Sequence, residues 1–201
     1  MKANLKKLVL GAAVGAMFAI PGVVNAEVTS VTGAGTISTT ARQDFQVIIP
    51  RFLQFRVGAT AGTVSLVNCD MSAVAGSIGN AVAQACAGGD AGAGVSNVSV
   101  VSNAGQITLT ATTIGQLLSG ALTMPYSEIT TTTSSANVPA PTLPSLGGVS
   151  PTVNVVMNAA PITNRQATWT YGYANTAVYA AGTYGGVNVQ NGRATYTASS
   201  P

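Results

Sequence analysis

The clearest hydrophobic pattern in the chain is an alternation over residues 44–57. Odd positions from Phe45 to Val57 are apolar at all but one, Arg51, whereas the even positions are mostly polar. A period of two residues places one set of side chains on one face of an extended strand. We therefore predict a long strand with one buried face. We expect a bend or a sheet edge at Pro50, because proline cannot donate a ladder hydrogen bond.

Weaker alternations, separated by turn signals such as Asn191-Gly192, predict further strands along the rest of the chain. These segments are Thr63–Asn68, Val95–Ser102, Gln106–Thr113, Ser127–Thr133, Thr152–Met157, Ala167–Tyr173 and Gly186–Ser199. Many short strands joined by glycine-rich turns favour an all-β fold, most simply a β-sandwich, with a closed barrel as the alternative. We assign residues 27–201 to one such domain.

Two stretches interrupt the strand pattern. Asp70–Ala85 carries apolar residues at helical spacing, and Asp70 is placed to cap the start, but Gly76 and Gly79 weaken a helix. The prediction there is a short helix or a compact loop. Residues 134–151 are rich in proline, serine and glycine, which predicts an extended or mobile loop. That loop is either a binding or assembly surface or a plain surface connection.

The first 26 residues have the three parts of a secretory signal peptide. A positive start precedes an apolar run that is shorter than the roughly 20 residues of a membrane span, and small residues follow. These parts are Lys2, Lys6 and Lys7, then Leu8–Ile20, then Val24–Ala26. We therefore expect export to the periplasm, the cell surface or a fimbria, with no transmembrane span after cleavage. An uncleaved anchor is the alternative.

Cleavage would change the charge of the chain. All three lysines lie in the signal, so residues 27–201 keep five arginines against five acidic residues, a net charge near zero. A neutral surface gives no electrostatic basis for binding nucleic acid. Charged residues make up 6% of the sequence, against about 25% in ordinary globular proteins. Such a surface favours association, although a stable secreted domain covered with threonine and serine is an equal alternative.

The two cysteines and the scarcity of reactive side chains limit the chemistry. In an oxidising compartment Cys69 and Cys86 predict one disulfide. There is no histidine, and residues 27–201 contain no lysine, so we expect no enzyme, no metal and no cofactor. Asp70 and Asp90 are the one pair considered for a two-carboxylate hydrolase. Solvated loop residues are the simpler interpretation of both.

Three aromatic residues share one face of a predicted strand. Trp169, Tyr171 and Tyr173 alternate along Ala167–Tyr173. Aromatic rings on one face could stack on a sugar, which makes a monomeric carbohydrate-binding module the alternative function. Same-face aromatics in strands are more often part of the core.

Segments at both ends of residues 27–201 carry a resemblance to a known group. Ala167–Tyr171, Ala181–Gly186 and the closing Arg193–Pro201 resemble the last strands of secreted Gram-negative immunoglobulin-like proteins of the pilin or fimbrial-subunit type, and Phe45–Gly58 resembles their opening strand. The resemblance implies a pilin-like sandwich in a structural or adhesive subunit. Its partners would be further copies, other pilus or surface subunits, and a periplasmic chaperone.

The resemblance also implies strand contacts between subunits. Pilins of this type lack one strand, and the N-terminal extension of a neighbour supplies it. The extension here would be Glu27–Thr40, but its apolar residues do not share one parity. A self-complete sandwich, with residues 44–57 paired to Arg193–Ser199, is the alternative. The candidate assembly residues are Phe45, Val47, Ile49, Leu53, Phe55, Tyr196 and Ala198.

Overall fold

The structure is a computed structural model that describes residues 29–60 and 62–201. The predicted signal peptide lies outside the described residues. The chain divides after Ile49 into two units, and the strands of the described residues all belong to the second unit, Pro50–Pro201. Among the described residues, no helix combines the length and the apolar character that a membrane crossing requires.

The second unit is mostly β, and its strands pair antiparallel throughout. The strands are β1 Leu53–Val57, β2 Val67–Asn68, β3 Gln84–Ala85, β4 Ala87–Gly88, β5 Val95–Ser102, β6 Ile107–Thr113, β7 Leu117–Ser119, β8 Leu122–Met124, β9 Ile129–Thr133, β10 Gly148–Val149, β11 Val153–Val155, β12 Thr163–Tyr173 and β13 Ala194–Ser199. Two short 3-10 turns, Ser72–Ser77 and Tyr126–Glu128, complete the elements.

Two sheets carry most of this unit. The first has the order β1-β5-β12-β3, and β9 also pairs with β12. The second is centred on β6, which pairs with β10, β11 and β13. The pairs β2-β4 and β7-β8 form two small ribbons. Because β1 pairs with β5 and β13 pairs with β6, each of these strands lies at the border of its sheet.

The turn between β5 and β6 connects the two sheets, because β5 pairs with β1 and β12 whereas β6 pairs with β10, β11 and β13. Both strands alternate buried and half-buried positions along their whole length, as their sequence pattern predicts. Their inward side chains include Val98 and Val100 from β5, and Ile107 and Leu109 from β6. The predicted strands Val95–Ser102 and Gln106–Thr113 are therefore confirmed, the second starting one residue later.

One hydrophobic core is shared by the two sheets. It combines Val98, Val100, Ile107 and Leu109 with Val138, Val155, Trp169 and Tyr171. Each fully buried side chain of this size stabilises the fold by about 1.5–3 kcal/mol through the area it removes from water. A second, smaller cluster lies around Cys86, Leu117, Met124, Tyr126 and Tyr173.

The predicted disulfide between Cys69 and Cys86 is confirmed. The segment between them is mostly irregular, with one 3-10 turn at Ser72–Ser77, so the compact loop is the better of the two predictions. Gly79 explains why no helix continues, because its backbone has a φ of +77° and a Cβ there would meet Val178 at 2.5 Å. Asp70 does act near the turn, where its Oδ1 accepts a hydrogen bond from Ser72 N at 2.9 Å.

Residues 134–151 differ from the predicted extended or mobile loop, because part of the segment is packed into the protein. Val138 and Pro141 are fully buried, and the Val138 carbonyl accepts a hydrogen bond from Trp169 Nε1 at 3.2 Å. Ser150 Oγ accepts one from Ala111 N at 2.9 Å, beside the short strand β10. Contacts with side chains distant in sequence therefore order this segment, and composition alone does not reveal them.

The long strand predicted over residues 44–57 forms only in its second half. β1 covers Leu53–Val57, and its register with β5 runs from Leu53 opposite Ser102 to Val57 opposite Val98. β5 ends at Ser102, so the residues before Leu53 have no ladder to join. The predicted pairing of residues 44–57 with the terminal strand is likewise wrong, because β13 pairs with β6.

Candidate functional site

The outer edges of β1 and β13 border a groove. Among the described residues, β1 pairs only with β5 and β13 only with β6, so each strand has one edge without a neighbouring strand. Gln54–Val57 and Arg193–Tyr196 line the same cleft, which has a volume of about 1370 Å³. Backbone groups at such edges are available to pair with another strand. We call this cleft the edge groove.

The floor of the edge groove is apolar and aromatic. It includes Leu117, Met124 and Ile129, and all six tyrosines of the chain line it: Tyr126, Tyr171, Tyr173, Tyr179, Tyr184 and Tyr196. Several hydroxyls already have partners inside the protein. Tyr126 Oη donates to the carbonyl of Asn191 at 2.6 Å, and the hydroxyls of Tyr171 and Tyr196 lie 3.1 Å apart. Tyr126, Tyr171 and Tyr173 are buried, so the ring surface that the groove offers belongs to the half-buried Tyr179, Tyr184 and Tyr196.

Burial favours the neutral form of Tyr126 and Tyr196. It raises the pKa of Tyr126 to about 12 and the pKa of Tyr196 well above 10, because the phenolate would lose its hydration. Trp169 packs against this wall, with its ring centroid 5.0 Å from that of Tyr196. The edge groove is thus suited to apolar side chains at neutral pH.

Arg193 contributes a cationic group to the wall of the groove. Its Nε is buried and has no hydrogen-bond partner in the part of the chain that the structure describes. A buried donor without a partner costs about 1–3 kcal/mol. An incoming carbonyl or carboxylate oxygen near Arg193 would recover part of that cost.

Pro50–Phe52, just before β1, is held to the end of β5 and the turn that leads to β6. Phe52 N donates to Asn103 Oδ1 at 2.8 Å, and Asn103 Nδ2 donates to the Pro50 carbonyl at 2.9 Å. Ser102 Oγ donates to the Phe52 carbonyl at 2.8 Å. Arg51 donates through Nη2 to the carbonyls of Ala104 at 2.9 Å and Pro201 at 2.8 Å. These contacts explain an arginine at an apolar position of the alternation.

Residues 29–49 form no strand or helix, and their side chains are exposed. The exposed fraction is 89% for Phe45, 82% for Val47 and 74% for Ile49. These three residues share one parity, so an extended conformation places them on one face. Ile48, also exposed, lies on the other face. An apolar run of this kind is costly to expose to water. We call Phe45–Ile49 the apolar segment.

The predicted assembly residues thus fall into two groups. Leu53 and Phe55 on β1, and Tyr196 and Ala198 on β13, are half-buried and pack against the shared core. Phe45, Val47 and Ile49 belong to the other unit and lie in the apolar segment. The candidate extension Glu27–Thr40 carries no comparable run. Its described part includes hydrogen bonds between Thr29 and the residues Thr39 and Thr40.

The aromatic face predicted as a sugar-stacking platform belongs to the interior. Trp169 is fully buried, and Tyr171 and Tyr173 are also buried. Stacking requires an exposed ring face, whereas Trp169 is covered by core side chains and donates to the Val138 carbonyl. Alternation placed the three rings on one face correctly, but it did not show that the face packs inward.

Asp70 and Asp90 both have a lowered pKa. Hydrogen bonds from the backbone and side chain of Ser72 lower the pKa of Asp70. Burial tends to raise the pKa of Asp90, but hydrogen bonds from Asn97 lower it overall. A catalytic acid at neutral pH requires a raised pKa instead. Glu128 is buried and accepts hydrogen bonds from Thr176 and Tyr179, which gives it a structural role. Residues 29–60 and 62–201 hold no cluster of three metal-ligating side chains.

Comparison with known proteins gives no relative on which to base a function. No protein-family model, no curated protein and no solved structure matches the chain. The functional argument therefore rests on the edge groove and the apolar segment.

Proposed function

We propose that the chain is an exported structural subunit that assembles by strand donation. The apolar segment of one copy enters the edge groove of the next copy and pairs with β1, β13 or both. One observation carries the proposal, namely that a single chain combines a groove between two strand edges with an exposed segment of alternating apolar residues. Adding a strand to a sheet edge is an established mode of peptide recognition.

The dimensions of the two partners agree. Five residues in extended conformation span about 17 Å, and the six residues of β13 span about 20 Å. In the groove, Phe45, Val47 and Ile49 would face the aromatic floor while Gln46 and Ile48 face outward. Burying three such side chains contributes about 5–9 kcal/mol before the cost of association is subtracted. That gross gain is large enough to support a stable contact.

The fold we propose is an immunoglobulin-like sandwich of the pilin type that needs a donated strand. Its C-terminal strand, β13, is one of the two strands that border the groove, and β1 borders the other side. The disulfide indicates an oxidising, extracytoplasmic environment. A periplasmic chaperone would cover the groove and the floor before assembly. The near-zero charge of residues 27–201 places no barrier against association.

The proposed contact is heterologous, because different surfaces of the two copies meet. A contact of this type generates an open filament when the rotation between neighbours does not close into a ring. The expected product is therefore a fibre built from many copies. Such a fibre fits a fimbrial or other surface structure with a structural or adhesive role.

The proposal is tested with purified residues 27–201 and a triple variant, Phe45→Ser, Val47→Ser and Ile49→Ser. Light scattering after size exclusion and electron microscopy should show polymers of the unsubstituted chain and monomers of the variant. Ile48→Ser is the matched control, because Ile48 is also exposed but lies on the opposite face. The control should polymerise. Monomers of the unsubstituted chain at high concentration, or polymers of the triple variant, would refute strand donation by the apolar segment.

A further inference from the structure

The apolar segment is joined to the domain that carries an edge groove of its own. Only Pro50, Arg51 and Phe52 separate Ile49 from the first residue of β1, and β1 is one wall of the groove. A short tether gives a segment an effective concentration in the millimolar range. Insertion into its own groove would therefore outcompete insertion into a neighbour and would produce closed monomers. A subunit that polymerises by strand donation requires a feature that disfavours this self-insertion.

The length of the connection does not prevent self-insertion. Hairpin loops of two or three residues are the commonest connections between antiparallel strands. A reversal within Pro50–Phe52 could therefore turn the apolar segment back along the outer edge of β1. What opposes the reversal must lie in the conformation and contacts of these three residues.

We propose that Asn103 and Arg51 form a clamp that disfavours self-insertion, so that the apolar segment stays available to a second copy of the chain. This role rests on the proposed function, strand donation between copies. Asn103 binds the backbone on both sides of Arg51, accepting from Phe52 N and donating to the Pro50 carbonyl. Ser102 Oγ holds the Phe52 carbonyl. A turn at Pro50–Phe52 would have to break this set of hydrogen bonds.

The side chain of Arg51 also holds Pro50–Phe52 in place. Its guanidinium donates to the Ala104 carbonyl in the β5-β6 turn and to the Pro201 carbonyl beyond β13. The arginine therefore ties the start of β1 to both sheets. A reversal that moved Arg51 would break both hydrogen bonds, so each of the two carbonyls would lose a donor. Asn103 and Arg51 are positioning residues in this scheme, because the scheme gives them no contact with the donated strand.

The test compares Asn103→Ala and Arg51→Ala with the unsubstituted chain, all as residues 27–201. Each substitution should raise the fraction of monomer at a given concentration roughly tenfold, the effect of a change of about 1.4 kcal/mol in the balance between the two insertions. In these monomers the apolar segment should resist proteolysis, because it lies in its own groove. Asn158→Ala is the matched control, since Asn158 Oδ1 also accepts a backbone hydrogen bond, from Asn164 N, at another turn.

Proteolysis distinguishes self-insertion from simple damage to the groove. Combining Asn103→Ala with the triple Ser substitutions at Phe45, Val47 and Ile49 should give monomers in which residues 45–49 are cleaved quickly. The clamp is refuted if the single variants polymerise as well as the unsubstituted chain, or if their monomers expose the apolar segment. The proposed function fails separately, when the unsubstituted chain does not polymerise or does so without the apolar segment.

Discussion

At the scale of single residues, the tyrosines of the edge groove make the stability of the domain sensitive to alkali. The Tyr126 hydroxyl is buried and donates to the Asn191 carbonyl, and its pKa is raised from 10 to about 12. In the unfolded chain the pKa returns to about 10. Between these values the unfolded state binds fewer protons than the folded state. Stability is therefore complete below about pH 10 and falls as the pH rises toward 12.

We predict that Tyr126→Phe lowers the free energy of unfolding by about 1 kcal/mol at pH 7, because one hydrogen bond is lost. Between pH 10 and pH 12 the variant should lose less stability than the unsubstituted domain, by on the order of 2 kcal/mol. Urea unfolding at pH 7, 10 and 12 measures both effects. Tyr184→Phe is the control, since its hydroxyl donates to the Ala180 carbonyl at an exposed site. Parallel pH curves for Tyr126→Phe and the unsubstituted domain would contradict the prediction.

Arg51 shows how far single residues could be interpreted from the sequence. In the alternation over residues 44–57, Arg51 is the one exception among the odd positions. Its partners are the carbonyls of Ala104 and Pro201, 53 and 150 positions away. Backbone acceptors leave no trace in the residue types along a sequence, so these partners could not be inferred. The same limit applies to the Val138 carbonyl that receives Trp169 Nε1.

At the scale of elements, alternation was most informative where a partner strand runs the full length. β5 has the predicted bounds Val95–Ser102, because β12 pairs with it over eight consecutive positions, from Thr163 opposite Ser102 to Thr170 opposite Val95. The same pairing extends β12 four residues before its predicted start at Ala167. Residues 44–52 have an equally clear pattern but no partner strand. An alternating pattern indicates that a segment can pair as a strand. Within one copy, the described strands leave residues 44–52 unpaired.

Removal of the Cys69–Cys86 disulfide should lower the stability of the domain. Cys69 and Cys86 close a loop of 17 residues that contains little regular structure. Loop-closure entropy gives about 3 kcal/mol for a loop of this length. We predict that the double variant Cys69→Ala and Cys86→Ala lowers the free energy of unfolding by about that amount, measured by urea unfolding. Reducing agent should have the same effect on the unsubstituted domain and none on the variant. A loss well below 1 kcal/mol would show that the loop is ordered without the bond.

At the scale of the whole molecule, the edge groove could not be predicted from the sequence. Its walls, β1 and β13, lie at opposite ends of the second unit, and its aromatic floor comes from Tyr126 and from residues 171–196. Their meeting depends on β1 pairing with β5 and β13 pairing with β6, which are long-range choices among many strands of similar pattern. The sequence predicts assembly residues in the apolar segment, β1 and β13, and their role stays a prediction. It left two pairings open, strand contacts between copies or a pairing of residues 44–57 with Arg193–Ser199 within one copy, because no single-chain pattern distinguishes the two.

The last prediction uses the apolar segment as a separate ligand. A synthetic peptide of residues 41–50 should bind the monomeric triple variant, Phe45→Ser, Val47→Ser and Ile49→Ser, and complete its groove. At a concentration 100 times its Kd, a ligand of the folded state adds about 2.7 kcal/mol, which corresponds to a rise in Tm of about 5–10 °C for a domain of this size. Trp169 is the one tryptophan of the chain and lies 5.0 Å from Tyr196 of the groove wall, so its emission should change with binding.

The matched control is the same peptide with serine at Phe45, Val47 and Ile49. It keeps the backbone that pairs with β1 and β13 but lacks the side chains that face the aromatic floor. A shift with the native peptide alone would show that the groove recognises the alternating apolar residues. Equal shifts with both peptides would reduce the interaction to backbone pairing at an edge. No shift with either would mean that the groove does not accept this segment, and the assembly contact would then have to lie elsewhere on the molecule.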